Sequence, residues 1–583
     1  MKDTRYKQTN MKSKVTKAQL AAVTVLSLVA LAAGIAIAAL YGNFSMRPND
    51  MQGQAIFSQN TAGLPDAEES QTVELKDGDT YDLVASPVKK EIGGKTYAML
   101  AYNGSIPGPL IKIAQGAEVT INFTNDTGMK TLLHSHGVRM DNAFDGSQAT
   151  QEEMEPGETF SYKLKFPDAG MYWYHPHVRE DLQQELGLYG NYLVAPISVG
   201  YWSPVNREVP IFLDDILIED GNILFNKDKA DRTLMGRFGN VMLINGDDNY
   251  SLNLKKGEVI RLYVTNAANS RPFNFAIKGT RMKLVGADGG AYEKESWADS
   301  VVLGPSERAI VEVLFDKPGT YAIQNKTPDK TYTLGSVKVS NEQVAESYAG
   351  QFATLRSHEE TIASIDPLRS VLDKAPNKRI ALTVDMMGEM MSGMGGHMMP
   401  DGSMMGGMNM GEVPQGGIEW EDTDMQMMNE MSNADMVKWR IVDTDSGKKD
   451  MDIDWNFKKG EPVKIRIFND PKSMHPMQHP IHFHGQRILV VSRDGVSQTN
   501  LVWKDSVLVK AGETVDIVLD TSNPGIWMAH CHIAEHLEAG MMMTFTVGAQ
   551  AQNATEAPQN SRTGPKVPLP PSMDGMDHSM MEM

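Results

Sequence analysis

Cysteine is all but missing: the 583 residues contain one, Cys531. An intramolecular disulfide is therefore excluded. A lone cysteine is either an inert buried residue or a reactive or metal-bound thiolate, and its neighbours decide between the two. Positive charge is also short, with 55 Lys and Arg against 74 Asp and Glu; the net charge of −19 repels phosphate backbones, so no nucleic-acid partner is expected. Aromatic residues make up only 7%, and after residue 70 long helical patterns are absent. Methionine is in excess: 40 residues are far more than gap-filling in a core requires, and they have to be placed.

Lys2, Arg5, Lys7, Lys12, Lys14 and Lys17 precede an almost uncharged apolar run from residue 18 to about 41. The run is longer than the apolar part of a typical cleaved signal, and its basic flank would stay in the cytoplasm, so residues 1–45 are expected to be a membrane anchor. Ala36 and Ala38 leave signal cleavage as the alternative. Either way the bulk of the chain is expected to be extracytoplasmic: anchored at the cell membrane, or secreted or periplasmic after cleavage. Residues 46–70 are polar and rich in Asn, Gln, Ser and Pro, as a linker is.

Beyond the linker the chain alternates with a period of two, in runs such as VTINFT, VIRLYVT and VKIRIF. These belong to an internal repeat: residues 116–125 read GAEVTINFTN, 257–266 GEVIRLYVTN and 460–469 GEPVKIRIFN. A second element follows each copy and ends on Gly170, Gly319 and Gly525. Three copies predict three similar β-sandwich domains, at 71–200, 201–345 and, as the core of the third, 436–548. Between the second and third lies 346–435, a polar linker leading into a stretch with 15 methionines between residues 386 and 431. That composition cannot pack a core, so a flexible surface feature is expected. The Met-rich tail 549–583 is expected to be disordered.

Fourteen histidines placed at random in a chain of this length would form a His-x-His pattern about 0.3 times. There are four such patterns: His134 and His136, His175 and His177, His482 and His484, and His530 and His532 flanking Cys531. On a strand, positions i and i+2 face the same way, so each pair can present two imidazoles to one cavity, a donor set suited to copper, iron or zinc. His175 and His530 lie five residues after Gly170 and Gly525, whereas the second copy has Gln324 there. The metal site is therefore expected between domains one and three, with the middle domain as a spacer. Cys531 is followed by His536 and Met541; with His479 added, this is the His2Cys set with an axial Met of a blue-copper centre.

These motifs resemble those of multicopper oxidases, and the likeness runs from about residue 70 to 548, including NGSIPGP at 103–109. The resemblance implies an all-β fold of three cupredoxin-like Greek-key sandwiches, with four copper ions and dioxygen as electron acceptor. His479, Cys531, His536 and Met541 would hold type 1 copper, and His134 and His482 type 2. His136, His175, His177, His484, His530 and His532 would hold the type 3 pair. Asp145 is similar to the family's acid near the cluster, although Asp-Gly is also an ordinary turn pair. Bacterial metal oxidases of the family often carry an acid directly after the second type 1 histidine; here Leu537 stands there with Glu538 next, as in laccases, so Glu538 is the candidate acid at that end.

The Met-rich insert resembles that of cuprous oxidases of copper resistance, and thioethers select Cu(I). Met474, His475 and Met477, just before His479, are candidate ligands for a substrate copper. The expected donor is Cu(I), with other reduced metals or phenols as alternatives. A laccase for organic donors and a copper-buffering protein without oxidase activity are the rival readings.

Overall fold

The computed structural model describes residues 57–225, 230–386, 413–422, 429 and 432–548. The expected anchor at 1–45, the tail at 549–583 and most of the Met-rich insert lie outside the described residues. Among the described residues no helix is long and apolar enough to cross a membrane.

Strands fall into three successive pairs of sheets. Residues 72–195 form a five- and a four-stranded sheet; 207–343 and 378–547 each form a six- and a five-stranded sheet. In the middle pair, Ile211, Leu262 and Val311 of one sheet face Phe273, Phe275 and Val337 of the other across a buried core.

The repeat has a physical cause at both ends. Gly116, Gly257 and Gly460 sit at φ +89°, +88° and +78°. They make the turns before strands Glu118–Asn125, Glu258–Asn266 and Val463–Asn469, where any side chain would be strained. The closing Asn125, Asn266 and Asn469 are wholly buried. Each sends Nδ2 to two backbone carbonyls: Met129 and Met154 at 2.8 and 3.0 Å, Arg271 and Leu303 at 2.9 and 3.0 Å, Met477 and Val509 at 2.7 and 3.2 Å. One amide thus holds two loops together in every domain.

Each repeat strand also has a parallel partner upstream: Thr80–Ile92, Arg207–Ile216 and Lys378–Met386 respectively. The third sandwich therefore begins at Lys378, not at 436. The insert falls inside it, between strands Lys378–Met386 and Val437–Asp443, whose first paired residues are Met386 and Val437. Nor is 346–377 a plain polar linker. Its helix Glu359–Ile365 bonds the second sandwich through Thr361 Oγ1 to the Ala291 carbonyl at 3.1 Å, while Ile365 packs on Leu489, Leu501 and Trp503 of the third.

Strand Glu258–Asn266 reads as half-buried in the sequence, yet all nine residues are buried. Its outer face is an interface: Tyr263 packs on Leu110, Met171 and Leu193 of the first sandwich.

Candidate metal centre

Antiparallel strands Leu133–His136 and Gly170–Pro176 set His134 opposite His175. The same pairing in the third sandwich, His479–Phe483 with Gly525–Cys531, sets His482 opposite His530 and Ile481 opposite Cys531. At the matching register of the middle sandwich Ala276 faces Gln324, and no imidazole stands there. The outer two sandwiches bring their rings face to face: His134 stacks on His484 at 4.1 Å and His136 on His482 at 3.6 Å between centroids. All eight rings are buried.

Within this cavity donor atoms of His177, His484 and His530 lie within 4.8 Å of one another, as do those of His134, His482 and His484 and of His134, His136 and His175. The His532 ring lies 5.0 Å from both His136 and His175. Partners outside the cluster hold the rings. Nδ1 of His134, His175, His482 and His530 donates to the carbonyls of Asp145, Pro176, Asp505 and Cys531 at 2.7, 2.8, 2.9 and 2.9 Å, and that of His177 meets Gln148 Oε1 at 3.0 Å. Nε2 of His134, His175, His177 and His482 is then buried without a protein partner, as a metal ligand requires. Burial drives the imidazole pKa values down, to about 3 for His134, His484 and His530, so the rings are neutral donors.

A second group lies one residue away along the chain. Nδ1 of His479 and Nδ1 of His536 are 3.2 Å apart, and each is 3.6 Å from Cys531 Sγ. The Leu234 carbonyl accepts from His536 Nε2 at 3.0 Å and turns Nδ1 inward. Met541 is wholly buried, with its backbone bonded to Cys531 and His536 at 3.1 and 3.0 Å. Trp439 lies on His536 at 4.2 Å, its Nε1 donating to the Thr233 carbonyl at 2.7 Å.

Three multicopper oxidase family models match residues 85–198, 207–345 and 420–551. The chain belongs to the multicopper oxidase family. Multicopper oxidase MmcO of Mycobacterium tuberculosis is 26% identical over 496 residues, covering 79% of this chain and 86% of that protein. Copper resistance protein A of Escherichia coli is 24% identical, covering 81% and 93%. The solved multicopper oxidase from Campylobacter jejuni, described as a metallo-oxidase, superposes with a TM-score of 0.63 at 23% identity over 84% of this chain and 99% of that one. The three sandwiches of this multicopper oxidase are cupredoxin-like, and the buried, neutral, inward-facing nitrogens and the single thiol fit copper.

Asp145 is wholly buried and its carboxylate lies 3.0 Å from His484 Nδ1 and 2.6 Å from Ser147 Oγ; burial raises its pKa. Glu538 is half-buried and exerts its charge on Arg179 and Glu180. It is Glu180, unnoticed in the sequence, whose carboxyl reaches the imidazoles, 3.6 Å from His177 Nε2 with both oxygens buried and unpartnered. Burial, then the charges of Glu538 and Asp181, raises its pKa well above the usual range.

The middle domain is more than a spacer. Besides Leu234 and Thr233, it sends Arg308 to Asp505, which touches His136 Nε2 at 3.0 Å. Arg308, Asp505, Glu180 and Trp439 stand outside any motif, and no sequence signal marks them.

Met477 is wholly buried, Met474 and His475 half-buried, and His475 Nε2 is buried without a partner. Burial lowers the His475 pKa to about 4. Residues 413–422 of the insert lie against this corner: Glu419 N donates to Gln478 Oε1 at 2.7 Å and Arg271 Nη1 to the Trp420 carbonyl at 2.9 Å. This part of the insert is a bonded strap, not the flexible feature expected. Burial, then the charge of Asp422, pushes Glu419 up to about 7.

Proposed function

We propose that this multicopper oxidase oxidises Cu(I) to Cu(II) outside the cytosol in copper tolerance, passing the electrons to dioxygen, with residues 1–45 as its membrane anchor. The setting of the type 1 imidazoles carries the reading. His479 and His536 are both wholly buried; Trp439 lies against both rings, at 4.7 and 4.2 Å between centroids, and the Leu234 carbonyl is bonded to His536, so neither ring offers an exposed edge to a bulky organic donor. Met477 and His475, by contrast, offer soft or neutral donors two and four residues before His479, and such donors suit Cu(I). The names of the copper resistance protein and the metallo-oxidase agree with this.

His479, Cys531, His536 and Met541 would hold type 1 copper, and His134 and His482 type 2. His136, His175 and His532 would hold one type 3 ion, and His177, His484 and His530 the other. Copper held there would supply storage of single electrons and, with four of them and four protons, the reduction of dioxygen to two waters. Cys531 is bonded along the chain to His530 and His532, which gives electrons a short covalent route between the sites. Burial favours the protonated form of the Asp145 carboxyl beside His484 and, more strongly, of the Glu180 carboxyl beside His177. Both are screened from solvent, so a proton taken up on either is passed to oxygen and not exchanged at random.

Comparing kcat/KM for Cu(I), Fe(II) and a phenol tests the reading. Deleting 387–412, which contains ten methionines and leaves the 413–422 strap in place, should lower Cu(I) turnover much more than phenol turnover. Equal losses on both, or a preference for the phenol in the intact protein, would favour a laccase. A fully loaded protein without oxygen uptake would favour a copper buffer.

A further inference from the structure

We propose that Arg308, from the one domain without copper ligands, is a positioning residue of the trinuclear site: it holds Asp505 against His136, so that His136 faces the cluster with Nδ1.

His136 is turned differently from its neighbours. Its Nε2 points outward, 3.0 Å from Asp505 Oδ1 and 3.1 Å from Ser506 Oγ, and its Nδ1 is buried without a partner. For His134, His175, His177, His482 and His530 the outward, bonded atom is Nδ1. A carboxylate only accepts, so Asp505 keeps the proton on Nε2 and leaves the Nδ1 lone pair for metal.

Asp505 cannot hold that place alone, because a buried carboxylate without a counter-charge is costly. Arg308 supplies the charge and the geometry. Its Nη1 donates to Asp505 Oδ1 at 2.8 Å, and Nη2 bonds Oδ2, a two-pronged pair that leaves the carboxylate no rotation. Arg308 is itself wholly buried and bonded to every domain. Nε donates to the Met171 carbonyl at 2.9 Å, Nη1 to the Ser306 carbonyl at 2.7 Å, and the backbone N–H to Asp288 Oδ1 at 2.8 Å. Gly137, directly after His136, leaves room for the pair: a Cβ there would lie 2.1 Å from Asp505 Oδ2 and 3.1 Å from Arg308 Nη2.

The test compares Arg308→Met, Arg308→Lys and Asp505→Asn in the full-length, copper-loaded protein. Lys283→Met is the control, since Lys283 is another wholly buried cation of the middle domain, paired with Glu295 and Glu312. Copper per chain, resistance of the type 3 absorption to a chelator, and the blue type 1 band are measured together. The expected result is a trinuclear site that loses copper at about 10–100-fold lower chelator strength in Arg308→Met, with partial rescue in Arg308→Lys and the blue band intact. Wild-type retention of trinuclear copper in Arg308→Met, or the same loss in Lys283→Met, would overturn the proposal. If Arg308→Met also loses the blue band, the volume-conserving Asp505→Asn decides: selective trinuclear loss supports the proposal and wild-type retention refutes it. None of these outcomes depends on which donor the enzyme oxidises, so failure here leaves the Cu(I) reading standing.

Discussion

Loading the metal-free protein with copper should release about one proton per chain, and that number should stay flat between about pH 5 and pH 8. Copper binds deprotonated ligands, so the count follows from which ligands carry protons beforehand. Burial holds His134, His479, His484 and His530 at a pKa of about 3. It holds His136, His175, His177, His482, His532 and His536 well below 6.5. All ten rings are therefore neutral already and release nothing. Burial pushes the Cys531 thiol the other way, so it keeps its proton until the metal displaces it. Ten imidazoles of ordinary pKa would be about three-quarters protonated at pH 6 and would add about eight protons. The assay is a titration with Cu(I) under nitrogen in weak buffer, read by a calibrated pH indicator. Release of several protons, climbing as the pH falls through 6.5, would refute the burial argument.

The same pKa values set the acid stability of the metal-free protein. They lie below the unfolded value of 6.5, so the unfolded chain binds more protons below that pH. Stability present above pH 6.5 should then fall as the pH drops toward 3, and calorimetry from pH 7 to 5 should show a falling Tm. Cys531→Ser should abolish the blue absorption and turnover of every donor while leaving trinuclear copper in place, as absorption and copper analysis would show. Asp145→Asn and Glu180→Gln should each slow reoxidation by dioxygen about 10²–10⁴-fold with bleaching of the blue band by donor unchanged, and Glu538→Gln should do much less; stopped-flow separates the two half-reactions. Asn469→Ala removes two bonds to buried carbonyls and should cost about 2–4 kcal/mol; Asn266→Ala should cost the same without affecting copper, which distinguishes folding from ligation by Tm and metal content.

The histidine clusters were legible because residues at i and i+2 of a strand face one way, so each His-x-His pair brings two imidazoles to one cavity, and because the one thiol of the chain lies between two of those histidines. The three domains were legible through Gly116, Gly257 and Gly460 and the asparagines that close each copy, positions whose backbone tolerates little else. Where sequence reading failed, the cause was long-range contact. Asp505 and His136 are 369 positions apart, and nothing local to Arg308 marks it as spanning three domains. The start of the third sandwich was missed because its first strand precedes the insert, so Lys378–Met386 read as part of the linker. Strand Glu258–Asn266 was read as half-exposed because alternation reports on one sheet's own core and carries no word of a neighbouring domain.

Met386 and Val437 are facing rungs of one antiparallel ladder, so everything between them is, in topology, the loop of a hairpin. Such a loop exerts little pull on the fold, because the entropy of closing it grows only slowly with length. Outside the bonded strap at 413–422, the length of the loop is thereby little constrained by the fold. Trp439, two rungs further on, rests on His536, so the C-terminal end of the loop leads in beside the Cys531, His479 and His536 cluster. A metal ion bound to a donor within the loop would therefore meet that cluster at an effective concentration on the order of millimolar, however scarce the ion is in the surrounding fluid.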